Sequence, residues 1–304
     1  MLSLSNLDAN ESVFFTRQLE QVKSRSYDKL YPELKARQFI PAAQEPAPSG
    51  AETITYRQFD RVGMAKMIAN YADDLPRVDV SGKEFTSPIR ALGASFGYNI
   101  QEIRAAAFAK KDLNQMRANA ARETIEEQID RLLALGDTAS GIPGFLTNAS
   151  VPAGSVSGGT WATKAASDPD LIPDDITARL TTMVNATKGR EYPDTLLIPE
   201  AQFALIATTR LVDQPITILA HIRAAFPRIT TIEPWYRLAG AGSGATDRGV
   251  LYKKSNDKLG AEVPQEFEAL APQEHNLEFV VPCHARVGGT VIMYPLSMSY
   301  MDGI

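Results

Sequence analysis

The chain has 304 residues, 44% apolar and 22% charged, with a formal net charge of −5, an ordinary globular composition that excludes wholesale disorder. Its 31 basic residues are interspersed among 36 acidic ones, so no surface-wide positive field marks a protein that grips nucleic-acid phosphates. Cys283 is the only cysteine, which excludes an intrachain disulfide and the paired-cysteine metal patterns, and no apolar run approaches the roughly 18–20 residues of a membrane span.

The first residues, Met1 to Asp8, lack the basic and apolar regions of a signal peptide, so a soluble protein made in the cytosol is expected. Residues 1–50 read as an arm. Phe15, Leu19 and Val22 recur at helical spacing, but the segment closes on Pro41-Ala-Ala-Gln-Glu-Pro-Ala-Pro-Ser-Gly50. Prolines at that density make an extended, semi-rigid connector.

From Ala51 to Tyr98 the chain is a polar–apolar ribbon with no apolar run long enough to form its own core. Strands are expected at Thr53–Phe59, Arg77–Val80 and Phe85–Tyr98. A short helix is expected from Val62 to Tyr71, with Met64, Met67, Ile68 and Tyr71 on one side. The ribbon is laced with charges of both signs, among them Arg57, Arg61, Asp73, Asp74, Arg77, Lys83, Glu84 and Arg90. Singly, surface ion pairs contribute roughly 0–1 kcal/mol. The segment is therefore either a solvated hairpin or one half of a contact in which many such charges meet a partner at once.

The helical section after it is clearer. Asn99 caps a helix at Ile100, with Glu102 placed to reach back to the cap. A second cap at Asp112 opens a long helix to Leu135, on which Leu113, Met116, Ile125, Ile129, Leu132 and Leu133 hold one stripe. Arg122 with Glu126, and Glu127 with Arg131, fall four apart on the outer side, and Gly136 ends the helix. At 1.5 Å per residue its length is roughly 36 Å, enough to lie across a sheet as a backbone. The apolar turn Gly141-Ile-Pro-Gly-Phe-Leu-Thr-Asn148 comes next.

Ser150–Ala165 reads as an exposed Gly/Ser/Thr-rich loop. Helices are expected from Pro173 to Gly189, from Pro199, and from Pro215 to Phe226; strands at Thr195–Ile198, Ile229–Ile232, Val250–Tyr252, Leu277–Pro282 and Val287–Tyr300. Strands and helices mix without regular alternation, which argues for an α+β fold.

Candidate chemistry is sparse. His221 sits on an apolar helix. His284 comes directly after Cys283, but neighbouring strand residues point to opposite faces, so the two do not form a nucleophile–base pair. Gly240-Ala-Gly-Ser-Gly-Ala245 lacks the Lys-Ser/Thr of a phosphate loop, and no apolar-periodic helix succeeds it. Asp73-Asp74 and Asp174-Asp175 lack the spaced oxygen ligands of a calcium loop. No catalytic site, metal or cofactor is expected. A ribbon that cannot core itself, in a chain without catalytic motifs, lies most simply on another copy of itself.

The order of these elements resembles tailed-phage major capsid proteins of the Hong Kong 97 fold. So do the runs Tyr31-Pro-Glu-Leu-Lys-Ala-Arg-Gln-Phe-Ile-Pro41, Ile54-Thr-Tyr-Arg-Gln-Phe-Asp-Arg-Val-Gly63, Ala72-Asp-Asp-Leu-Pro-Arg-Val-Asp-Val80 and Arg286-Val-Gly-Gly-Thr-Val-Ile-Met-Tyr-Pro295. The resemblance spans almost the whole chain and rests on pattern and order. It implies an N-terminal arm (1–50), an extended loop (51–98), a peripheral domain with the spine helix (99–185), an axial domain (186–265) and returning peripheral strands (266–304). It also implies self-assembly as pentamers and hexamers into an icosahedral head shell, with scaffold, portal and decoration proteins as partners. DNA would be enclosed without sequence-specific binding, in a virion assembled in the host cytoplasm. The inter-subunit contacts it points to are Arg57, Arg61, Asp73, Asp74, Arg77, Lys83, Glu84 and Arg90; Lys66 and Lys83 lie in the right loop for a covalent cross-link, but no matching asparagine–glutamate pair is seen. The alternatives are an encapsulin-like nanocompartment shell and a small-oligomer hydrolase using His221 or His284.

Overall fold

Pro88 decides where the ribbon ends. In the computed structural model, which describes residues 32–67, 77–109 and 113–304, strands β1 (Thr53–Val62) and β2 (Asp79–Pro88) pair antiparallel in unbroken register from Thr53↔Pro88 to Val62↔Asp79. Pro88 has no N–H to extend a ladder. The chain turns at buried Ile89, whose N–H donates to Glu52 O at 2.8 Å, and restarts as β3 (Arg90–Asn99). The single strand expected from Phe85 to Tyr98 is therefore two strands in two sheets, because β3 pairs with β11 (Glu278–Val287). The helix expected from Val62 is not formed as far as Met67. Val62 is still strand, and Gly63 takes φ +149 against Val78, whose Cα would lie 2.9 Å from an added Cβ. Phe15, Leu19, Val22, Ile68, Tyr71, Asp73, Asp74 and the Asp112 cap lie outside the described residues.

The capping box at Asn99 forms as expected. Its Oδ1 accepts from the Gln101 N–H at 3.0 Å, while Glu102 Oε2 accepts from the Asn99 N–H at 3.3 Å. Helices α2 (Ile100–Ala109) and α3 (Leu113–Leu135) come next; a four-residue helix, α1 (Ala36–Phe39), precedes β1. Ile125, Ile129, Leu132 and Leu133 of α3 are buried as the stripe predicts, but Met116, expected on the same stripe, is exposed, so the buried face is confined to the C-terminal half of the helix. Gly136 closes α3 at φ +67, its N–H reaching Leu132 O at 2.8 Å. The chain then doubles back along the last turn: Phe145 and Leu146 donate to the carbonyls of Leu133 and Ala134, and Thr147 Oγ1 to Leu135 O. These are the carbonyls a helix end otherwise leaves unpaired. The return is close enough that a Cβ on Gly144 would sit 2.2 Å from the Leu135 carbonyl carbon.

Beyond this turn come β4 (Ala153–Ser155), α4 (Trp161–Ser167), α5 (Leu171–Ala186), β5 (Thr195–Ile198), α6 (Glu200–Thr208), α7 (Ile218–Ala225), β6 (Thr231–Pro234) and β7 (Arg248–Tyr252). The last stretch adds β8 (Leu259–Glu262), β9 (Gln265–Ala269), β10 (Gln273–His275), β11, β12 (Gly289–Ile292) and β13 (Met298–Asp302). Helix α4 occupies a segment that reads in sequence as loop. Thr160 Oγ1 accepts from the Thr163 N–H, and Trp161 is wholly buried. A mixed five-stranded sheet runs β4-β13-β7-β5-β6. Its strands β13, β7 and β5 are buried on both faces. Leu197, Val250, Tyr252, Met298 and Tyr300 face the core under α3, while Leu196, Ile198, Leu251 and Met301 face α4 to α7. Helices and sheets are mixed as α+β, as expected.

Candidate assembly surfaces

Among the described residues, the β1–β2 hairpin touches the body at its root. On one face, Tyr56 Oη donates to Ile292 O at 3.3 Å, and the Ile54 side chain packs at Gly288, where an added Cβ would lie 2.5 Å from Ile54 Cδ1. Tyr56 stacks on Phe85 at 5.1 Å, and burial raises its phenol pKa. Ser87 Oγ adds a bond to Gly288 O. Beyond Tyr56 both strands are exposed. A ladder of ten paired positions at about 3.4 Å per residue extends roughly 30 Å, and an isolated two-stranded hairpin is marginal in water.

Its distal end is unusually apolar. Phe59 is 69% exposed and Met67 98% exposed, and Val62, Met64, Val78 and Val80 are exposed with them. Residues facing each other across an antiparallel ladder share a face, and alternate residues along a strand do too. Phe59, Val80 and, by the same period, Val78 therefore lie on the face away from the body, with Arg61 among them; the Phe59 ring covers Gly82. The helical spacing of Met64 and Met67 hides this stripe in the sequence. The signal that could have found it is the alternation Val78-Asp79-Val80.

Of the charged residues expected at a contact, Arg57 and Glu84 pair with each other across the ladder, Nε to Oε1 at 2.6 Å. The Lys83 ammonium lies 4.9 Å from the Phe85 ring centroid, on the inner face. Arg90 donates from Nε to Ser140 O at 3.4 Å, at the hairpin root. Arg61 and Arg77 are exposed, and Asp73 and Asp74 lie outside the described residues. Among the described residues the structure thus brings two of these side chains, Arg57 and Glu84, into one ion pair.

The connector is pinned along its length. Ala42 bridges Ala261, the Ala43 N–H reaches Ala261 O, Glu262 Oε2 accepts from the Ala47 N–H at 3.3 Å, and Arg286 holds Ser49 O. Glu262 is buried, and burial pushes its carboxyl pKa up. Near the connector's start, Asp130 of α3 joins two segments: Oδ1 accepts from the Ala36 N–H at 2.7 Å and Oδ2 from Arg237 Nε at 2.7 Å. Beside this junction an open cleft of about 400 Å³ runs between α3 and β3. Leu92, Ala94 and Ile125 form its floor, Glu127, Gln128 and Arg131 its rim.

The chemical candidates dissolve into structure. Cys283 is buried on one face of β11, its thiol pKa raised by burial, while His284 Nε2 lies on the other, 3.0 Å from Gln265 Nε2. In the glycine loop, Asp247 Oδ1 accepts the Gly240 N–H and Asp302 Oδ2 the Ser243 N–H, so carboxylates sit where a phosphate would bind. Asp175 is held by Lys164 Nζ at 2.5 Å and Trp161 Nε1 at 3.0 Å. Among the described residues no cluster of three metal-ligating side chains occurs, and no described helix is long and apolar enough to cross a membrane.

A family model for major capsid proteins matches residues 63–304. The chain belongs to the major capsid protein family. Solved structures similar to this capsid protein include the capsid of Myoviridae phage XM1, at 18% identity and a TM-score of 0.83 over 97% of this chain and 100% of that one. The capsid of the native GTA particle matches at 12% identity and 0.69, over 98% and 99%. A virus-like particle from Pyrococcus furiosus is less similar, at 15% and 0.53 over 87% and 91%. At these identities the likeness establishes the fold, which is the Hong Kong 97-like capsid fold. No curated protein matches the chain in sequence.

Proposed function

We propose that this capsid protein self-assembles as pentamers and hexamers into the icosahedral head shell of a tailed phage and encloses its genome. The observation that carries this is the hairpin: a long ladder fixed only at its root, with an apolar far end, in a chain of the major capsid protein family. Contacts between unlike patches of one chain are heterologous, and they make a closed shell when the rotation closes. In this reading the arm (1–50), up to the connector, and the hairpin (53–88) of the loop (51–98) reach sister copies, while the connector and β3 lie on their own body. Residues 99–185 and 266–304 form the peripheral wall, and 186–265 the part nearest the symmetry axes. Arg57, Arg61, Asp73, Asp74, Arg77, Lys83, Glu84 and Arg90 set the register of the contact. Scaffold, portal and decoration proteins are the further partners, the virion is the destination, and the host cytoplasm is the place of assembly. The protein has no catalytic role. The nanocompartment reading has less support, because the matching family model is that of major capsid proteins.

Negative-stain microscopy of the purified protein tests the reading. Closed particles or capsomers are expected from the parent chain, and soluble non-assembling protein from the Arg77→Glu, Lys83→Glu variant. A parent chain that stays a lone monomer at every concentration overturns the shell; normal particles from the variant overturn the role of the loop charges.

A further inference from the structure

We propose that one end of the five-stranded sheet carries a site for the backbone phosphates of double-stranded DNA, built from Arg190, Arg228 and Lys253 around Tyr192, and that this site meets the enclosed genome. The proposal rests on the shell reading for its occupant.

Three segments converge there. Strands β5 and β6 run parallel and β7 runs antiparallel to β5, so the stretches entering β5 (187–194) and β6 (226–230) lie beside the stretch leaving β7 (253–258). Asp194 joins them. Its backbone carbonyl accepts from the Thr230 and Thr231 N–H groups at 2.9 and 3.1 Å, and its Oδ1 from the Lys254 N–H at 2.9 Å. The segments hold six cations, Lys188, Arg190, Arg228, Lys253, Lys254 and Lys258, against three carboxylates, Glu191, Asp194 and Asp257, in a chain whose formal net charge is −5.

Burial makes the outer surface more one-sided than that count. Glu191 is buried and its charge is met by buried Lys258, Nζ to Oε1 at 2.8 Å. Asp194 is half-buried, and its Oδ1 also takes the Thr195 hydroxyl. Asp257, the exposed acid of the three, accepts from Ser255 Oγ and lies 3.6 Å from Lys258 Nζ. Lys188, Arg190, Arg228 and Lys254 are exposed, and Lys253 is half-buried. Arg190 and Lys253 stand 3.9 and 3.8 Å from Glu191, at ion-pair range but beyond a hydrogen bond, so that carboxylate does not saturate them. The Arg228 guanidinium lies 4.6 Å from the Tyr192 ring centroid, and Lys254 Nζ donates to Gln38 O at 2.5 Å. Outward cations with an aromatic among them, over acids satisfied from within, suit a phosphate backbone held without reading its sequence. Arg228, Arg190 and Lys253 belong to three adjacent strands, β6, β5 and β7, at about 4.8 Å per strand. The row is therefore roughly 10 Å wide, the axial length over which one DNA strand presents about three phosphates.

The test titrates the unassembled full chain with a fluorescent DNA duplex over a range of salt. Binding is expected, with log K falling against log salt at a slope of about −3, since each phosphate contact contributes about −0.9. The triple variant Arg190→Gln, Arg228→Gln, Lys253→Gln should lose at least about tenfold in low-salt affinity and most of that slope. The variant Arg104→Gln, Arg122→Gln, Arg131→Gln, on α2 and α3, should keep both. Absence of parent binding at low salt, or equal losses from the two triple variants, overturns the site. In assembled heads, reductive methylation of Lys253 and Lys254, read by mass spectrometry, needs no variant and locates the face. Slower labelling in DNA-filled than in emptied heads is expected. Equal labelling in both, or protection in both, overturns the genome contact and leaves the shell reading intact. A chain that forms no particles overturns the shell reading, while the duplex titration still decides the phosphate site.

Discussion

Arg248 and Asp302 face each other across the β7–β13 ladder and form a buried, two-pronged ion pair, Nε to Oδ1 at 2.6 Å and Nη2 to Oδ2 at 2.8 Å. The guanidinium also lies over the Tyr300 ring and holds Leu146 O. It thereby ties the central sheet to the turn behind α3. Asp302 extends the network to the glycine loop through the Ser243 N–H.

Removing one partner leaves an uncompensated buried charge. Arg248→Met or Asp302→Ala should cost about 3–5 kcal/mol, and the double variant less than the sum. Urea unfolding of the unassembled protein measures both. Burial opposes the Asp302 charge, but the Arg248 hydrogen bonds hold its pKa below the usual value. A depressed folded pKa gives stability that is present above the ordinary carboxylate range and lost as pH falls through the folded value. Asp302→Asn should remove that acid-limb slope; an unchanged slope refutes the assignment.

Glu262 has the opposite sign. Burial raises its folded pKa above the unfolded one, so the folded state binds more protons between the two and stability falls as pH rises through that window. Glu262→Gln keeps an acceptor for the Ala47 N–H and should flatten the slope, with slower amide exchange at Ala47 near neutral pH. Equal exchange at Ala47 in parent and variant would count against it.

Gly144→Ala places a methyl into backbone. The Leu135 carbonyl carbon and Gly136 nitrogen lie 2.2 and 2.4 Å from the added Cβ, and neither is a flexible side-chain end. A loss of about 3 kcal/mol or more is expected, at the upper end of overpacking costs. A lowered thermal midpoint of the unassembled protein checks it.

Phe59 and Val80 stand exposed on the outward hairpin face. Phe59→Ser with Val80→Ser should leave unfolding free energy within about 0.5 kcal/mol while particle formation fails. Particle counts by light scattering, alongside denaturant curves, separate the two effects.

Helix α2 and the spine helix were legible because their signals are local: the Asn99–Glu102 box opens α2, while the stripe through Ile125 and Ile129 and Gly136 at the end mark α3. Helix α4 was not. Trp161-Ala-Thr-Lys-Ala-Ala-Ser167 carries one large apolar residue after Gly158-Gly159, and its stability comes from burying Trp161 and pairing Lys164 with Asp175, which are tertiary facts. The break at Pro88 was readable in principle, since proline ends a ladder, yet the residues from Ile89 to Tyr98 look equally strand-like. At the assembly surface the charges drew attention by number. Their pairing, Arg57 with Glu84, depends on a register that no single-strand pattern encodes. The cleft was invisible because its walls lie apart in sequence, at Leu92–Ala94 and Thr124–Arg131.

The position of β13 has a temporal consequence. Residues 298–302 lie inside the five-stranded sheet, between β4 and β7. Strand β4 joins the rest of the sheet through β13, so the five-stranded sheet closes only after residues 298–302 have been made, nearly 150 positions after β4.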